Sequence, residues 1–180
     1  LIKNLPLDLQ DGPGRFSAIK AFNGQYYFAG QVDARMIVLQ LNADLKLLTK
    51  PYMHPKPSTA NALGINRHGE VFVAGRETEA GLSYAMTWKL DGQLRLSKLH
   101  RSQVEKTEAL GLLVLQDGDI VVSGRQEIER YRTDAFVERL RPNCSTRWFR
   151  PYAGEGKCWA KTILQTADDD LLIGGYQLAF

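Results

Sequence analysis

Four side chains with hydrogen-bonding, cationic or aromatic heads recur at one place in the sequence. Gln31, Arg76, Arg125 and Tyr176 each follow a glycine that closes a similar eight-residue phrase. Two tripeptides, Lys50-Pro51-Tyr52 and Arg150-Pro151-Tyr152, set a cation beside a tyrosine at parallel points. Arginine donates in a planar fork to carboxylates and phosphates, and a tyrosine ring offers stacking area with a polar tip. Such groups would hold sugars, peptides or anions. Gln31, Arg76, Arg125, Tyr152 and Tyr176 are therefore the candidate ligand-binding residues. The competing explanation is that they are loop residues packing against their neighbours.

Other chemistry has less behind it. The run Asp168-Asp169-Asp170 has the oxygen ligands a hard cation wants, but it stands at the same point of the phrase as Asn23-Gly24 and Asp117-Gly118 and reads as a turn. His54, His68 and His100 are scattered, and no His/Cys/carboxylate cluster has ligand spacing. Gly-x-Ser-x-Gly, His-Glu-x-x-His and phosphate-loop patterns are absent. No catalytic residue, metal or cofactor is therefore expected. Cys144 and Cys158 fall in the repeat at opposite ends of a strand. A strand length of roughly 17–20 Å far exceeds the ~7 Å that a disulfide spans between α-carbons. Two free thiols are expected.

The elements that position these residues follow from an internal repeat, which is sought before anything else. The four phrases are 23–30, 68–75, 117–124 and 168–175, and their final glycines lie 45, 49 and 51 residues apart. Asn-Gly and Asp-Gly suit two-residue hairpin turns. The run after each turn, as in Val71-Phe72-Val73-Ala74, is apolar at consecutive positions, which suits a strand covered on both faces. The closing glycine suits a crowded exit from the strand. Before each phrase comes apolar material containing a small residue, Ala60, Ala109 or Ala160, on what would be the inner strand. After it come segments ending at Leu41, Leu90 and Leu140, a turn, and a short alternating strand: Leu45 to Leu48, Leu94 to Leu96, Arg147 to Phe149. One unit thus has four strands in 45–50 residues, the period of a β-propeller blade. The units are about 15–49, 59–97, 108–149 and 158–180. Arg125 to Leu140 taken alone has near-helical spacing, but the equivalent stretches at 31–41 and 76–90 lack it, and repeats share one fold.

The fold expectation is thus all-β, a β-propeller or propeller segment of about four four-stranded blades. The fourth unit lacks its third and fourth strands. Leu1 to Leu9 is a candidate closing strand, which would make a four-bladed ring; the alternative is part of a larger ring joined by missing blades or by self-association. With 180 residues, +3 net charge and interleaved signs, the chain has room for a core and too weak a bias for nucleic acid. It has no apolar run long enough for a helical membrane span.

Asp117-Gly118-Asp119-Ile120-Val121-Val122-Ser123-Gly124, followed by Asp134-Ala135-Phe136-Val137-Glu138-Arg139-Leu140 and then Trp148, resembles the repeats of bacterial secreted β-propeller proteins. The third unit is close to that pattern and the others share its outline. The resemblance implies a propeller, export to the periplasm or exterior, and use as a scaffold or binding surface; it implies no single activity. The functional expectation is a non-catalytic module that recognises a protein, peptide or glycan through its loop face. The alternative is a propeller-type enzyme (a lyase, lactonase or glycoside hydrolase) with its site at the central channel.

Overall fold

The computed structural model describes residues 14–178, and the candidate closing strand at residues 1–9 lies outside them. The described residues form strands and turns with no helix. In chain order the strands are β1 (Gly14–Phe22), β2 (Gln25–Val32), β3 (Arg35–Leu41), β4 (Tyr52–Ile65), β5 (Val71–Glu79), β6 (Leu82–Leu90), β7 (Leu96–Glu105), β8 (Thr107–Val114), β9 (Ile120–Glu129), β10 (Arg132–Leu140), β11 (Thr146–Tyr152), β12 (Lys157–Gln165) and β13 (Leu171–Leu178). The stretch with helical spacing is a hairpin: β9 runs to Glu129, and β10 returns antiparallel with Phe136 opposite Gly124.

Two sheets result, one of seven strands ordered β1 to β7 and one of six, β13-β12-β10-β9-β8 with β11 on β10. The pairing divides them into smaller units. The first part of β4 pairs with β3 through Tyr52, Met53 and Pro57, and its remainder, from Ser58, pairs with β5. A single parallel bridge, Thr133 to Lys157, ties β10 to β12. Unit 1 is β1, β2, β3 and the start of β4. Unit 2 is the rest of β4 with β5, β6 and β7. Unit 3 is β8 to β11, and unit 4 is the hairpin β12–β13.

Two of the three fourth strands begin later than the sequence suggested, at Tyr52 and Leu96, whereas β11 begins at Thr146, one residue before the expected Arg147. Leu45 to Leu48 makes only an isolated bridge, Leu41 to Leu47, and the paired segment starts at Tyr52. Three-residue turns after the third strands account for part of this. At Asn42, Asp91 and Arg141 the chain closes a loop whose last residue, Leu45, Leu94 or Cys144, takes a positive φ. The same turn closes the first hairpin of units 2, 3 and 4, with Gly69, Gly118 and Asp169 in the left-handed position. Only Asn23-Gly24 forms the two-residue turn expected of the phrase, with both φ values positive.

The closing glycines are crowded, but inside their strands rather than at an exit. Each inner strand carries a β-bulge at the equivalent place: between Phe16 and Ala18, Ala60 and Ala62, Ala109 and Gly111, Ala160 and Thr162. Opposite the bulges stand Gly30, Gly75, Gly124 and Gly175. A Cβ on any of them would run into a backbone carbonyl oxygen, that of Arg15, Thr59, Glu108 or Trp159. A bulge turns the inner strand more sharply and brings that carbonyl under its neighbour, so only glycine fits.

The core lies between consecutive units. Tyr27, Ala29, Met36 and Val38 of unit 1 pack on Ala60, Leu63, Val71, Val73, Met86, Trp88 and Leu90 of unit 2. Phe72, Ala74 and Ala85 of unit 2 pack on Ala109, Ile120, Val122, Phe136 and Leu140 of unit 3. Val121 and Val137 of unit 3 meet Ile163 and Leu171 of unit 4. Successive residues of β5 thus enter different clusters, which explains why its apolar run does not alternate.

Candidate functional site

The residues after the closing glycines lie within strands, not in loops. Gln31 pairs with Arg15, Arg76 with Thr59, Arg125 with Glu108 and Tyr176 with Trp159. All four therefore sit at one level, near the N-terminal ends of the inner strands. The second-to-third hairpins turn at the same end, at Asp33-Ala34, Ala80-Gly81 and 130–131.

The structure joins part of this set into a band across units 2, 3 and 4. Asn61, the bulge residue of unit 2, donates from Nδ2 to Glu108 Oε1 at 3.1 Å and to the Ala109 carbonyl at 2.8 Å. Arg125 grips Glu108 Oε2 with Nε and Nη2, at 3.0 and 2.7 Å. Its guanidinium also lies 4.9 Å from the ring centre of Trp159 in unit 4. Trp159 meets Tyr176 edge-on with ring centres 4.4 Å apart, and its indole N–H donates to Thr133 Oγ1. Lys161, the bulge residue of unit 4, holds its ammonium 5.1 Å from the Tyr176 ring centre. A charged pair, two aromatic rings and a second cation thus form one continuous polar-aromatic strip. Cation–π contacts of this type contribute about 0.5–1 kcal/mol when exposed.

Arg76 and Gln31 hold the equivalent level in units 2 and 1, outside this chain of contacts. Gln31 borders a shallow depression with Gly14, Arg15, Asp33 and Ala34. Tyr152 is half exposed and lines, with Tyr176, a cleft of about 610 Å³ between β10 and β13. The parallel tripeptides separate: Tyr52 is half-buried beside His54, whereas Tyr152 is open.

Asn61, Glu108, Trp159 and Lys161 were not singled out from sequence. Two of them had a signal. Glu108 and Trp159 each precede the small inner-strand alanine, and the hairpin spacing sets that position opposite the residue after the glycine. The bulge, which aims Asn61 and Lys161, had none.

A second polar cluster is structural. His54 Nε2 lies 2.7 Å from Glu77 Oε2, and the Trp88 indole N–H donates to His54 Nδ1 at 3.2 Å. Since indole only donates, Nδ1 accepts and Nε2–H donates to Glu77. Glu77 is 2% exposed and also faces Lys56 at 3.2 Å. Nearby, hydrogen bonds from Lys56 and then Arg101 hold the Glu79 carboxyl at about 2. This cluster joins the fourth strand of unit 1 to unit 2.

Both cysteines are free: Cys144 is buried, and burial pushes its thiol up, while Cys158 lines the cleft. Among the described residues, no group of three His, Cys, Asp or Glu side chains is placed to hold a metal, and no helix is long and apolar enough to cross a membrane. Asp168, Asp169 and Asp170 lie in the β12–β13 turn, where Asp169 takes the left-handed position. No family model matches the chain, and no curated protein matches it.

Proposed function

We propose that the chain is part of a β-propeller and acts as a non-catalytic recognition module for a protein, peptide or glycan bearing acidic groups. Three features support the propeller reading: three four-stranded meanders followed by a hairpin, cores between consecutive units, and the same bulge at the same place in each inner strand. A fourth is the uncovered side of unit 4. Leu172 is 57% exposed, whereas its counterparts Tyr27, Phe72 and Val121 are buried under the next unit. That side calls for a further blade or for self-association.

The recognition reading is carried by the strip Asn61–Glu108–Arg125–Trp159–Tyr176–Lys161, which crosses three units at one end of the inner strands. Arg76 stands beside it, on the strand pair next to Asn61. Stacking area beside cationic heads suits carboxylated sugars or acidic peptide segments.

Peptide and glycan arrays supply the probe, and titration of the strongest acidic binder supplies the test. Arg76→Ala and Lys161→Ala together should weaken binding at least tenfold with little change in Tm. Unchanged binding by the double variant refutes the assignment of this strip.

A further inference from the structure

The cleft between β10 and β13 has its equivalent in each of the other units, and there it is filled. In units 1, 2 and 3 the third strand lies antiparallel to the second, with three alternate side chains opposite fixed positions. Ile37, Leu39 and Leu41 stand opposite Gly30, Phe28 and Tyr26. Met86, Trp88 and Leu90 stand opposite Gly75, Val73 and Val71. Phe136, Glu138 and Leu140 stand opposite Gly124, Val122 and Ile120. All nine are buried. The counterparts in unit 4 are Gly175, Ile173 and Leu171, and all three line the cleft, with Ala135 and Val137 of β10 behind them. Among the described residues β13 pairs only with β12, so its other edge has backbone donors and acceptors to offer.

We infer that this cleft is the seat of an added antiparallel β-strand of the chain's own third-strand type. The occupant has large apolar side chains at the first and third of three alternate positions, and its first anchor lies opposite Gly175. The glycine sets that choice. In unit 3 the Phe136 ring packs so closely over Gly124 that a Cβ there would meet it, and Gly175 leaves the same hollow. Main-chain bonds along an exposed edge supply affinity, and pockets for alternate side chains supply selectivity.

The source is further polypeptide carrying this repeat, rather than residues 1–9. Those stand 15 to 7 positions before Phe16, as 94–102 stand before Ala109 and 145–153 before Ala160. That interval holds most of the fourth strands β7 and β11, so the spacing of residues 1–9 is that of a fourth strand. The inference rests on the propeller reading and not on an acidic ligand: Trp159 and Tyr176 belong to both the strip and the cleft lining, whereas Leu171, Ile173 and Gly175, where the added strand is read, take no part in the strip.

The probe is the nine-residue peptide Arg132–Leu140, added to the 180-residue chain. Hydrogen exchange should slow at least tenfold over 171–178 with the peptide and stay unchanged with a version carrying Phe136→Asp and Leu140→Asp. Ile173→Glu in the protein should abolish the protection. If that variant misfolds, the two peptides still decide. Absent protection, or equal protection by both peptides, overturns the inference. So does sedimentation showing a dimer of the chain alone with 171–178 already protected, since the occupant would then be a second copy. Array binding to the strip is read separately, so either result can fail alone.

Discussion

Gly75→Ala adds one methyl group where β4 and β5 approach most closely, and its cost follows from what that methyl meets. The new Cβ would overlap the Thr59 carbonyl oxygen and press on the Ala60 α-carbon at 3.1 Å. Both are backbone atoms of the part of β4 that pairs with β5, so neither yields as a side-chain tip would. Overpacking of this type costs roughly 1–3 kcal/mol. Opening the bulge adds about 1 kcal/mol for a weakened buried hydrogen bond, and the sum is about 3 kcal/mol. Gly81→Ala is the control, because its Cβ would enter open space and only the positive φ of 80° resists it. That conformation costs an alanine about 1 kcal/mol. Urea unfolding followed by far-UV circular dichroism should give a loss near 3 kcal/mol for Gly75→Ala and near 1 for Gly81→Ala. If Gly75→Ala costs no more than Gly81→Ala, the fourfold bulge does not explain the fourfold glycine.

His54→Ala should destabilise by about 1–3 kcal/mol, the range for leaving a buried acceptor without its donor, because Lys56 stays on Glu77, and should shift Trp88 fluorescence as the indole loses its acceptor; chemical denaturation and emission spectra measure both. The carboxyl of Glu79 sits at about 2 in the fold and near 4.3 unfolded, so its contribution is complete above about pH 4.3 and disappears as pH falls through 2. The Tm gap between wild type and Glu79→Gln should therefore hold near neutrality and close by about pH 2. A thiol-reactive reagent should label no more than Cys158 in the native chain and both cysteines in denaturant; a native stoichiometry of two would contradict the burial of Cys144.

The repeat was legible because its markers are chemical necessities. A glycine is required opposite each bulge, and Leu41, Leu90 and Leu140 are each fully buried where the third strand ends. From these the all-β character, the hairpin reading of 125–140 and the common level of Gln31, Arg76, Arg125 and Tyr176 could be derived. Turn type could not be. His68-Gly69 and Asp117-Gly118 look like two-residue turns, but their hairpins close one residue wider, and unit 4 makes the same turn with Asp169 and no glycine. The site was half legible. Arg125 and Tyr176 were found from their position after the glycine, but the ring that connects them, Trp159, belongs to the cross-strand partner. Tyr152 was grouped with Tyr52 by tripeptide likeness, and tertiary packing gave the two opposite environments. The His54–Glu77 pair spans 23 residues and two units, and no local pattern announces such a contact.

β4 has one further effect. It runs for 14 residues without a turn and serves as last strand of one unit and first strand of the next. Between units 2 and 3, by contrast, Lys106 breaks the line with a φ of 55°. Tension applied at the unit 1 end would pass along a single taut ribbon into unit 2, whereas the Lys106 corner would act as a pivot. Units 1 and 2 should therefore yield to force together, as one mechanical body, and separate from unit 3 at that corner.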